Sequence, residues 1–127
     1  MKKLLERAWL ASVTPIAITI FGALLRVRYL GSSFCMDDYV SLRDSLYLLP
    51  QSIQDYRPLF CMLLHWWRSV GPEAEWWFQL LPILFSVAAI PVAWLAGRYF
   101  GGRPVAAALS LLLATSPLHV DIAPEVR

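Results

Sequence analysis

Residues 76–97 read WWFQLLPILFSVAAIPVAWLAG, 22 positions without a single charge. Crossing the hydrocarbon of a bilayer takes about 20 apolar residues, within a range of roughly 17–25. Two other stretches meet that length. Residues 8–25, AWLASVTPIAITIFGALL, carry no charge, and in residues 104–120 His119 is the one titratable side chain. Across all 127 residues 58% are hydrophobic and 16% charged, whereas a soluble domain carries about 25% charged residues. Because the deficit falls in long uncharged runs, lipid explains it better than a large core. The expected architecture is an all-α membrane protein with one domain, 1–127. It has about three transmembrane helices (8–25, 76–97 and 104–120), and amphipathic interfacial helices in an outer segment, 26–75.

The opening MKKLLER resembles the basic region of a secretory signal. The apolar run after it exceeds the usual 7–15 residues and no A-x-A cleavage site follows, so it reads as a retained anchor. Lys2, Lys3 and Arg7 precede the first run, and GRYFGGR, between the second and third, carries Arg98 and Arg103 with no acid. By the positive-inside rule both lie in the cytoplasm. Arg26 and Arg28 pull the other way, and the 98–103 loop breaks the tie. The expected location is therefore the cell membrane, multi-pass, with 26–75 and the final PEVR on the outer face.

Within the outer segment, DDYVSLRDSLYLL (37–49) has apolar residues at 39, 40, 42, 46, 48 and 49, an imperfect amphipathic helix with acids at its positive end. RPLFCMLLHWWRSVG follows, with Pro58 suited to a first helical turn and Gly71-Pro72 to a stop. Its apolar part is too short to span, so an interfacial helix is expected, flanked by Trp66, Trp67, Trp76 and Trp77, whose indoles favour the headgroup region. Pro82 and Pro91 predict kinks in the second span.

The net charge of +2 and the lack of any basic stripe give no reason to expect a nucleic-acid partner. Cys35 and Cys61 are too few for a metal knuckle and too far apart for a redox pair. They read as two thiols in apolar surroundings, or as a pair if both face an oxidising compartment.

The chemistry-bearing candidates are polar clusters at span ends. Asp37 and Asp38 read either as a solvated helix cap or as a coupled carboxylate pair. Such a pair could deprotonate a hydroxyl or hold a divalent cation. Glu125 and Arg127 read either as a charge pair with Arg127 reaching for the headgroups or as a fork for phosphate, with Glu125 orienting the guanidinium. His65 and His119 are each a structural histidine or a base, and Asp55, Tyr56 and Arg57 a turn or a site.

The order of these features resembles the N-terminal portion of the GT-C superfamily of polyprenyl-phosphate-sugar glycosyltransferases. The similarity is greatest to its protein O-mannosyltransferase and aminoarabinose-transferase-like members. The resemblance rests on an anchor ending in Arg, the acidic pair, PLFCMLLHWW, LLP leading a span, GRYFGGR, and LLLATSPLHV before PEVR. The family's Trp-x-Asp-Glu-x-x-Ser falls on Cys35, Asp37, Asp38 and Ser41. Its His-Pro-Pro-Leu-Tyr falls on Tyr56, Arg57, Pro58, Leu59 and Phe60, and its Ser-x-Glu-Ala-Arg on Ala123, Glu125, Val126 and Arg127.

The resemblance implies that Asp37 is the catalytic base and Asp38 its partner or a metal ligand. Glu125, Arg127, Arg57, His119 and Tyr56 would then contact the substrate and its lipid phosphate. It also implies a polyprenyl-phosphate-sugar donor and a lipid, glycan or protein acceptor. Further spans would follow Arg127, so these residues alone would be an inactive fragment. On this reading Asp37 and Glu125 face one cavity with carboxyl carbons within about 10 Å. The rival readings are a transporter or flippase fragment, which would bury its acids at mid-span, and a non-catalytic membrane assembly module.

Overall fold

The computed structural model describes residues 2–31, 36–46 and 58–126, without the side chains of 2–12, 36 and 37. Among these residues every regular element is an α-helix and there is no strand. The helices are α1 (Lys2–Val27), α2 (Met36–Asp44), α3 (Pro58–Val70), α4 (Glu75–Thr115) and α5 (Pro117–Ile122). By length and composition α4 is the one described helix long and apolar enough to cross a membrane, and Val13–Val27 of α1 is a shorter apolar stretch.

α4 is not one rod. Gly101 (φ −152°, ψ 16°) and Gly102 (φ 74°, ψ −163°) leave helical geometry, and the positive φ of Gly102 is one that glycine adopts without a Cβ penalty. Pro104 then sits in the first turn of the returning limb, where its missing N–H costs nothing. The limbs 75–100 and 103–115 fold back on each other. A Cβ at Gly97 would lie 2.5 Å from Ala106 Cα, so the hairpin closes through backbone contact that only a glycine allows. The chain breaks at Gly101-Gly102 rather than at the prolines: Pro82 and Pro91 lie inside the first limb, and the non-helical residues of α4 are the two glycines.

α1 runs antiparallel to the 75–100 limb. Ile18 packs with Ile90, Trp94, Ala106 and Ala114 in one buried cluster; further along, Arg26 reaches Ser86, and the N–H of Gly31 donates to Gln79 Oε1 at 2.7 Å. The start of α1 and the Gly101-Gly102 turn therefore share one end of the molecule. The opposite end carries α2, α3, α5 and the chain terminus, packed over a second cluster of Leu64, Phe78, Leu81 and Val126.

α3 has the bounds its sequence predicts. At its end Trp67 and Trp77 stack at 4.6 Å, and each indole N–H donates to the other's carbonyl, at 2.8 and 3.1 Å. Gly71 makes room for this pair, since a Cβ there would lie 2.0 Å from the Trp77 ring. The stretch expected as a span over 104–120 is divided. Helix α4 ends at Thr115, and Ser116 (φ −57°, ψ 117°) is extended because Pro117 disfavours helical geometry in the residue before it.

Candidate functional site

The least expected element is α2. Its polar residues Asp38 (3% exposed), Ser41 (5%) and Ser45 (1%) face inward, while Tyr39 (57%), Val40 (42%) and Leu46 (51%) face out. Spacing of three and four residues puts 38, 41 and 45 on one side of a helix. Apolar periodicity alone would have turned the other side to the protein. Asp38 is thus a buried carboxylate rather than a solvated cap.

Burying a carboxylate is costly unless it is hydrogen-bonded. Asp38 Oδ1 accepts the N–H of Val126 at 2.6 Å, joining residues 88 positions apart. This bond brings Asp38 against Val126 of PEVR. Pro124 and Val126 are buried, and Glu125 is half-buried with its Oε2 enclosed. At the far end of α2, His65 Nδ1–H donates to the Ser45 carbonyl at 2.8 Å. That fixes the histidine as a tie between α2 and α3.

A second polar unit lies beside PEVR. Arg26 is fully buried. Its Nε donates to Ser86 Oγ at 2.7 Å and its Nη1 to the carbonyls of Gly22 and Ala114 at 2.8 and 3.3 Å. Nη2 donates to Leu113 O at 3.1 Å. Leu113 and Ala114 belong to the last turn of α4, where carbonyls lack intrahelical partners and the helix dipole is negative. The guanidinium caps that helix end through one hydroxyl and three main-chain carbonyls. Ser86 Oγ, already accepting from Arg26, lies 3.1 Å from His119 Nε2. Ser86 and His119 line a cavity of about 400 Å³ with Phe60, Phe85, Ile122 and Ala123. An imidazole is thereby held at the wall of an otherwise apolar pocket, five positions before Pro124, the first residue of PEVR.

The sequence candidates divide as follows. Asp38, Glu125 and His119 are brought to one end of the molecule, the first two through adjacent chain segments. Asp37 lies in the first turn of α2 with its side chain outside the described set, so its separation from Glu125 lies outside it too. Tyr56, Arg57, Arg127 and Cys35 are likewise outside the described residues; Cys61 is buried. No group of three His, Cys, Asp or Glu side chains among the described residues could hold a metal ion, and one oxygen of Asp38 is already bonded to main chain. The described residues alone therefore do not make a cation site.

Sequence reading missed Arg26, Ser41, Ser45, Gln79 and Ser86 as buried polar groups. The signal for two of them was available in the 38, 41, 45 spacing. Comparison with family models, curated proteins and solved structures finds no match to this chain.

Proposed function

We propose that the chain forms the acid-bearing face of a membrane glycosyltransferase, which moves a sugar from a polyprenyl-phosphate donor to an acceptor hydroxyl. In this reading α1 and the 75–100 limb of α4 cross the cell membrane. The 103–115 limb, too short to cross alone, returns toward the outer face and reaches it through α5. The start of α1 and the Gly101-Gly102 turn lie in the cytoplasm, and α2, α3 and α5 lie at the outer surface. One observation carries the reading: the inward polar face of α2, whose Asp38 is bonded to the main chain of PEVR. A helix that turns carboxylate and hydroxyls inward and tyrosine, valine and leucine outward suits a hydrogen-bonded protein interior on one side and lipid on the other. The resemblance places α2 and PEVR at one surface, and the Asp38–Val126 bond, across 88 residues, is compatible with that placement.

The division of labour follows from chemistry. Asp37 accepts the acceptor hydroxyl's proton as its oxygen bonds to the anomeric carbon. The bond from that carbon to the lipid phosphate breaks, and the phosphate leaves with the electron pair. Arg127, a planar fork, neutralises that charge, and Glu125 orients it. Asp38 is a positioning residue, because it fixes the backbone between Glu125 and Arg127. Acids at the outer end of the helices, rather than half-way along them, favour transfer at the surface over ion carriage through it.

The test is transfer from a radiolabelled polyprenyl-phosphate sugar in membranes carrying the protein from its complete reading frame. Asp37→Asn keeps shape and removes the base, so transfer should drop by about 10²–10⁴ at matched expression. Near-normal transfer by that variant would defeat the assignment.

A further inference from the structure

At the end opposite the candidate site, a groove of about 550 Å³ runs between α1 and the first limb of α4. This lies within the size of small-molecule pockets, about 300–1,000 Å³. Its walls are Ile16, Ile20, Trp94 and Leu95, and Arg98 stands at its mouth. Ile16, Ile20 and Leu95 are more than half exposed (58%, 56% and 63%), while Trp94 is buried against the groove floor. Thr19 adds no polarity, because its hydroxyl donates to the Pro15 carbonyl at 2.8 Å.

The charge at the mouth has no acid to balance it nearby in the chain. No Asp or Glu occurs between Trp76 and Val120. On α1 the nearest acid is Glu6, nine residues or about 13 Å of helix beyond Pro15, and Lys2, Lys3 and Arg7 outnumber it there. Arg103, on the other side of the Gly101-Gly102 turn, adds a further exposed cation. A ligand for this groove should therefore join an apolar tail to a negative head.

We infer that the α1–α4 groove binds one acyl chain of an anionic phospholipid, with the lipid phosphate at the Arg98 guanidinium. This rests on the membrane reading above and adds a lipid site remote from the proposed chemistry. The acyl chain covers Ile16, Ile20 and Leu95, and a guanidinium matches phosphate oxygens in a two-pronged contact. Such a lipid would hold the turn at the cytoplasmic leaflet, where anionic headgroups attract basic residues.

Trp94 is a built-in reporter. The protein is reconstituted in phosphatidylcholine vesicles containing a trace of dibrominated phosphatidylglycerol or dibrominated phosphatidylcholine. Quenching of Trp94 is taken as the difference between the native chain and Trp94→Phe. The expected result is quenching at about fivefold lower concentration of the brominated anionic lipid than of the zwitterionic one. That preference should vanish in Arg98→Gln, since one basic residue near the surface contributes about that factor. Native mass spectrometry of the detergent-solubilised protein reads the same preference without the tryptophan variant: retained phosphatidylglycerol should fall about fivefold in Arg98→Gln. Equal quenching by both lipids, or a preference unchanged in Arg98→Gln, overturns the inference while leaving the membrane reading intact. A chain that sits in vesicles with Trp94 unquenched by either lipid overturns it too, because protein then covers the groove. A chain that fails to enter vesicles at all defeats the membrane reading itself.

Discussion

The Asp38 carboxylate and the Val126 N–H meet at 2.6 Å inside the protein, so a hydrogen bond fastens helix α2 to the segment 124–126. Asp38→Ala leaves a buried N–H without that acceptor, which costs about 1–3 kcal/mol. Asp38→Asn keeps an acceptor oxygen and should cost less. Protease cleavage within 36–46 is the measurement. It should accelerate strongly in the alanine variant and weakly in the asparagine one, and equal rates in both would mean that charge, not the bond, holds α2.

The hairpin of α4 depends on Gly97. A methyl group there meets the Ala106 backbone at 2.5 Å, and backbone cannot rotate away as a side chain can. Gly97→Ala should destabilise the protein by about 1–3 kcal/mol, as overpacking does, seen as a lower unfolding temperature in detergent. Substitution of exposed Leu95 by Ala is the control and should change it little.

Ser86 links Arg26 to His119, with distances of 2.7 and 3.1 Å. Ser86→Ala takes an acceptor from a buried guanidinium, a loss of about 1–3 kcal/mol. Arg26→Lys should lose at least as much, because one ammonium cannot reach Ser86 and the Leu113 and Ala114 carbonyls together. Detergent-denaturant titration of both variants checks the order, and a native-like Arg26→Lys would mean that the helix end needs no fork.

Orientation is open to labelling. In a background with Cys35 and Cys61 replaced by Ala, the exposed positions Val70 and Tyr99 (77% and 86%) accept single cysteines. Val70→Cys should react with an impermeant maleimide in intact cells, and Tyr99→Cys after permeabilisation only. The reverse pattern would invert the topology.

Much of the architecture was legible in residue order. Pro58 and Gly71-Pro72 bound α3 because one residue suits a helix start and the other two a stop. Gly101-Gly102 marks the reversal because φ of 74° at Gly102 suits a residue without Cβ. The uncharged runs identify α1 and α4 because helices satisfy their own backbone groups. The division of 104–120 was also written in Pro117, though composition alone ran through it.

The sequence by itself determined which segments are helical and, at Pro58 and Gly71-Pro72, where one starts and stops, since those are local properties of backbone and side chain. It did not find the end of α2, which stops at Asp44 rather than running to 49, or that of α4 at Thr115. Tertiary structure decided which face each helix buries. α2 turns Asp38 inward and Arg26 lies fully buried because partners 60 to 88 residues away offset the cost of taking polar groups out of water, while the buried Ser45 hydroxyl is satisfied locally by the Leu42 carbonyl. Periodicity finds a face of a helix. Only the fold supplies the hydrogen bonds that let the polar face be the buried one.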